Sequence, residues 1–240
     1  MSEKLELLQP RSTEETPDSD VLPTIECALG VGQLVDDIEI DAHYFASLMR
    51  EHGMSDETIS DSVIKVSDDL IITRKDKDKG NEILQYGVYT HDKQTATVWL
   101  GSIKDGTDYV KEKRDSEDPP RPYDSNRFGS RWASEVTVHE TSHRIDHATG
   151  DEWREEKYEY YAQFAPERRV LKAIRKCLHM TKNTDLGRIA NALRVREVYK
   201  NPSHEQYQNA PDELRAEELS DRESANWKEN DDFPIRVKFK

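Results

Sequence analysis

The segment His139-Glu140-Thr141-Ser142-His143 holds residue types at a spacing that can do metal chemistry. Two histidines four positions apart on an α-helix lie about 40° apart around the axis and roughly 6 Å apart along it. Both imidazoles then face the same way and can share one metal ion. Glu140 falls on the adjoining edge of that face, where its carboxylate can take a proton from a water held by the metal. H-E-x-x-H on a helix is the signature of zinc peptidases that use the glutamate as general base. The pattern therefore points to a zinc-dependent hydrolase, most directly one acting on peptide bonds.

Five residues make a short signal. With 8 His and 25 Glu in 240 residues, chance would supply the pattern about 0.03 times in a chain of this composition. The flanking residues strengthen it. Trp132, Ala133 and Val136 fall on one helical stripe ahead of the motif, and Gly150 behind it is a stop signal. The expected helix is about 16 residues long, close to the ordinary length. The competing reading is a solvent-facing helix that carries two histidines and no metal.

A catalytic zinc takes three protein ligands and keeps one position open. His147 continues the series at i+8, but it would lie about 12 Å from His139 along a straight helix. Zinc–nitrogen bonds are only about 2.0–2.1 Å. The extended motif that adds a third histidine needs a glycine to turn the chain. Here that position is Asp146, and Thr149 stands where the histidine would be. Asp146 and His147 are thus read as supporting or surface groups, Asp146 being able to orient a ligand histidine. The other source of a ligand is a glutamate on a later helix with a small residue three places on. Glu159 with Ala162 and Glu213 with Ala216 both qualify.

These residues resemble the gluzincin branch of the zincin metallopeptidases. The segment Tyr207-Gln208-Asn209-Ala210-Pro211-Asp212-Glu213-Leu214-Arg215-Ala216-Glu217 is similar to the third-ligand helix of the catalytic domain of anthrax lethal factor and of related zincin-like phage and toxin domains. There a tyrosine precedes an E-x-x-A-E helix. The run His139 to Asp146 is similar to their active-site helix, including the aspartate three past the second histidine. The resemblance implies a zincin-like metallopeptidase with Zn²⁺ as cofactor and a peptide or protein as substrate. It also implies His139, His143 and Glu213 as ligands, Glu140 as base, Tyr207 as a hydroxyl for the oxyanion, and Glu217 as a support. It covers roughly 25 residues, within the reach of short motifs. The stretch from Glu159 to Ala165 is similar to the ligand helix of compact repressor-cleaving gluzincins of phage, so Glu159 stands as the rival third ligand. A zincin-like module that binds but does not cleave is the alternative function.

The net charge of −14, with 35% charged residues, argues against nucleic-acid binding through a basic face. Two cysteines far apart, Cys27 and Cys177, suit reduced thiols and a cytoplasmic setting better than a disulfide framework. No apolar run is long enough to span a membrane. Residues 1–24 are polar and are expected to be disordered. Residues 25–228 form the expected domain, and 229–240 a tail or short strand.

Within that domain, apolar spacing predicts a helix over Ile38 to Glu51. Strands are expected at Asp69–Thr73, Ile83–Thr90 and Thr95–Leu100, with a hairpin turn at His91–Gln94. The last of these strands is expected to be the sheet edge on which an extended peptide adds. Gly101 to Gly129 has no apolar period and reads as a loop, either a linker or a flap over the site. After Gly150 come helical stripes through Trp153–Ala165, Pro166–Leu178, Leu186–Val198 and Pro211–Leu219. The order implies an α+β fold with a small mixed sheet, an active-site helix and a helical C-terminal half.

Overall fold

The computed structural model describes residues 20–30, 34–75, 82–117, 119, 122–150, 152–164, 204–228 and 231–240. The fold is α+β. Its main sheet has the order β1–β3–β7–β6. Strands β1 (Thr24–Ala28), β3 (Val63–Ser67) and β7 (Thr95–Trp99) run parallel, and β6 (Gly87–Thr90) closes the sheet antiparallel to β7. Two ribbons stand beside it. One pairs β2 (Val35–Ile40) with β8 (Ile235–Phe239), and the other pairs β4 (Ile71–Lys75) with β5 (Glu82–Gln85). The helices are α1 (Ala42–Glu51), α2 (Asp56–Ser60), α3 (Leu100–Asp115), α4 (Ser125–Thr149), α5 (Glu152–Phe164), α6 (His204–Gln208) and α7 (Pro211–Lys228).

Helix α4 is the hub and carries the H-E-x-x-H motif. It packs on β6, β7 and β8 and on α3 and α7. Its start is fixed by Asp124, whose carboxylate accepts from the backbone N–H groups of Asn126 and Arg127 at 3.0 and 3.1 Å. Such a cap contributes about 1 kcal/mol. Ala133, Val138 and Ile145 on α4 join Ile64, Val66 and Val98 of the sheet in the core, with Phe45, Met49, Leu219 and Ile235. Each such fully buried large side chain contributes about 1.5–3 kcal/mol.

A second, polar seam joins α4 to β8. The backbone N–H groups of Ile235, Val237 and Phe239 donate to Ser134 Oγ, Ser130 Oγ and Asn126 Oδ1, at 3.0, 2.9 and 2.9 Å. Four helical residues rise about 6 Å, and two strand residues span about 6.8 Å. The two repeats stay in step over three contacts. The strand edge not paired with β2 thereby has its donors satisfied, as buried backbone requires. Gly129 allows the close approach, because a Cβ there would stand 2.2 Å from the Phe239 ring.

Several elements depart from the sequence expectations. Residues 38–40 are the end of strand β2, and the helix starts only after Asp41, whose side chain caps the N–H of Tyr44. The expected strand over Ile83–Thr90 is split at Tyr86 between β5 and β6, which lie in different sheets. The expected edge, Thr95–Leu100, is interior: β7 lies between β3 and β6, and β6 is the edge. The expected loop from Gly101 to Gly129 is mostly helix. Helix α3 buries Leu100, Gly101, Ser102, Ile103, Gly106 and Thr107, of which only Leu100 and Ile103 carry large apolar side chains. Residues 235–239 form a strand with alternating burial rather than a tail. The helices expected at Pro166–Leu178 and Leu186–Val198 lie outside the described residues, as does most of the 1–24 segment.

Candidate metal centre

Helix α4 places His139 and His143 on one face, with ring centroids 5.0 Å apart. Glu213 comes to them from the first turn of α7. Its Oε2 lies 3.3 Å from His139 Nε2, and its Oε1 lies 3.6 Å from His143 Nε2. One donor atom from each of the three residues lies within 4.8 Å of the others, and no other such group of three or more occurs among the described residues. A tetrahedral ion with bonds of about 2.0–2.1 Å sets its donors about 3.4 Å apart. The two separations from Glu213 are close to this spacing, so the donor set could hold a metal ion. Two imidazoles and one carboxylate also leave a fourth position open, as in catalytic zinc sites.

Electrostatics tie the three groups together. Burial alone would raise the Glu213 carboxyl, but the imidazoles of His139 and His143 outweigh it and hold the group well below the ordinary carboxylate range. For His143, burial favours the neutral ring, yet Glu213 and Glu140 raise its pKa. Glu140 itself is 8% exposed. Burial pushes its carboxyl up, against the imidazoles and a hydrogen bond from the backbone N–H of Tyr89, which hold it down. The edge strand β6 comes close to Glu140 at Gly87, where a Cβ would stand 2.9 Å from its Oε1.

The cleft over these groups has a volume of about 230 Å³ and is walled by Gly87 and Tyr89 of β6, Glu140 and Asp146 of α4, Lys157 of α5, Tyr207 of α6, and Asp212 and Glu213 of α7, among others. A larger hollow of about 460 Å³ lies between α1, α7 and the β2–β8 ribbon. His143 and Glu213, two of the three donor residues, line the smaller one.

Tyr207 lines the cleft beside Glu213. Its phenol is raised, first by burial and then by the charge of Glu213 and a hydrogen bond to it. The ring is 47% exposed, so it is no core packing residue. Glu159, the rival ligand, is exposed on α5 and outside the donor group. Asp146 pairs with Arg215 of α7 at 3.0 Å instead of holding a ligand histidine. His147 Nδ1 lies 3.3 Å from the Tyr89 hydroxyl, away from the donor group. Glu217 is exposed on α7. Sequence reasoning missed Gly87, Tyr89, Lys157 and Asp212. Gly87, Tyr89 and Lys157 lie in no motif and are brought in by the packing of β6 and α5, while Asp212 lies inside the Tyr207–Glu217 segment but was given no role there.

Compared with models of protein families, with curated proteins and with solved structures, the chain matches none. Among the described residues, no helix is long and apolar enough to cross a membrane.

Proposed function

We propose that the protein is a zinc-dependent peptidase of zincin type, with His139, His143 and Glu213 as ligands and Glu140 as general base. One observation carries the reading. Glu213, 70 positions after His143 in the chain (143 to 213), sets one carboxylate oxygen against each imidazole of the H-E-x-x-H helix at zinc-like spacing. Solvated glutamates give no such convergence.

A bound Zn²⁺ supplies a Lewis acid and a water of near-neutral pKa. The chain's own groups do the rest. The Glu140 carboxylate takes a proton from the attacking water and returns it to the departing amine nitrogen. Burial, which pushes its carboxyl up, favours its taking on a proton. The Tyr207 hydroxyl, on the rim of the cleft, donates a hydrogen bond to the oxygen on which charge develops. Strand β6 offers its outer edge, beside Glu140, to an extended peptide that adds as a further strand.

The test is metal content of protein purified without a histidine tag, followed by cleavage of a mixed peptide library. About one zinc per chain and cleavage that stops in the Glu140→Gln variant are expected. Zinc without cleavage would leave a zincin-like binding module, and absence of zinc would refute the metal centre.

A further inference from the structure

We infer that Lys157, acting through Asp212, is a positioning residue for Glu213, so that α5 belongs to the metal centre although it gives no ligand. This rests on the metal reading above. Asp212 immediately precedes Glu213 in the first turn of α7. It is 3% exposed, and its Oδ2 is paired with the Lys157 ammonium. The Lys157 side chain is itself only 14% exposed. Asp212 Oδ1 is buried and makes no hydrogen bond. The charge of this carboxylate is therefore balanced mainly by one ammonium, arriving from another helix.

A half-satisfied buried ion pair is a poor source of stability. Taking both charges out of water costs several kcal/mol per ion, and an apolar pair often does as well. Removing one partner is different, because it leaves an uncompensated charge in a place closed to water. With Lys157 gone, Asp212 is drawn toward the water of the cleft that it lines, and the first turn of α7 shifts with it. Glu213, one residue on, would swing with it, away from His139 and His143. A second tie acts from the other side of Glu213. Arg215 bridges Glu156 of α5 at 2.6 Å and Asp146 of α4 at 3.0 Å. The ligand is thus held between two ion pairs to α5, at 212 and at 215.

The experiment measures zinc affinity by competition with a chromogenic chelator, and the thermal midpoint of the metal-free chain. Lys157→Met should bind zinc about 10–100-fold more weakly, the range seen when supports of a metal site are lost. Lys157→Arg should restore most of that affinity. Asp212→Asn, which is isosteric and removes the stranded charge, should recover part of the affinity when added to Lys157→Met. That non-additivity marks direct coupling between the two residues. Wild-type protein that takes no zinc overturns this inference and the metal reading together. Wild type that binds zinc while Lys157→Met binds within twofold as well overturns this inference alone. So does a loss that Asp212→Asn leaves unchanged. Should Lys157→Met fail to fold, Asp212→Asn and Lys157→Arg are compared instead. Asp212→Asn within twofold of wild type, or Lys157→Arg binding more than tenfold more weakly, then overturns the inference.

Discussion

A Cβ on Gly87 would stand 2.9 Å from Oε1 of Glu140 and 2.6 Å from Cγ1 of Val136. Strand β6 lies this close to α4 only because residue 87 has no side chain. Gly87→Ala should push the strand and the base apart while leaving the three ligands in place. Zinc affinity should stay within threefold, and peptide cleavage should fall at least tenfold, since misplacing a reacting group by about 1 Å costs up to about a hundredfold. Equal loss of both would show that Gly87 serves the fold rather than the base.

Glu140→Gln keeps the shape of the side chain and removes the proton acceptor. The variant should bind zinc normally and cleave about 10²–10⁴-fold more slowly, the usual share of a general base. Cleavage at the wild-type rate would reassign the base.

Glu213→Gln should lose zinc, whereas Glu159→Gln should keep it, because only the first sits against the imidazoles. Chelation offers a matching test on stability. A ligand that binds only the folded chain adds about 2.7 kcal/mol at a hundred times its Kd. Stripping the zinc should therefore lower the thermal midpoint of wild type and leave that of Glu213→Gln where it was.

Tyr207 is half exposed, so loss of its hydroxyl should barely change stability. Tyr207→Phe should lower kcat by about 10–10³-fold, the scale of one oxyanion donor, with KM nearly constant. A fall in the urea midpoint with unchanged kcat would make it a packing residue.

Ser134→Ala takes the acceptor from the buried N–H of Ile235. A stranded buried donor costs about 1–3 kcal/mol. Urea unfolding should show a loss in that range at constant slope. Asp124→Ala, at the exposed start of the same helix, should cost about 1 kcal/mol.

The helix of the H-E-x-x-H motif was legible because the motif and its helical period lie in the same eighteen residues, Trp132 to Thr149. Glu213 and Tyr207 were legible as a motif, but only the packing of α7 on α4 separates Glu213 from Glu159. Strand β8 shows the alternation expected of a half-buried strand, yet its partner β2 is nearly 200 residues away, as the contact of Glu39 with Arg236 (197 apart) illustrates. Helix α3 escaped because the buried face that Leu100 and Ile103 begin is continued by Gly106 and Thr107, which a hydrophobic period does not register. Gly106 sits where a Cβ would meet the Trp132 ring at 2.7 Å, so the contact is made by a missing side chain. Strands β1 and β3 were passed over, although Val63-Ile-Lys-Val-Ser alternates correctly. Their hydrogen-bonding partners, β3 for β1 and β7 for β3, lie more than 30 residues away in the chain, so the pairing is not local.

The seam between α4 and β8 has a rotational consequence. Turning α4 by one residue, about 100°, would break the contacts of Asn126, Ser130 and Ser134 at once. Along the same helix His139 lies about 140° and His143 about 180° around the axis from Ser134. The seam therefore works as a key in a shaft. It fixes the azimuth at which two imidazoles face Glu213, and it does so from the opposite side of the helix.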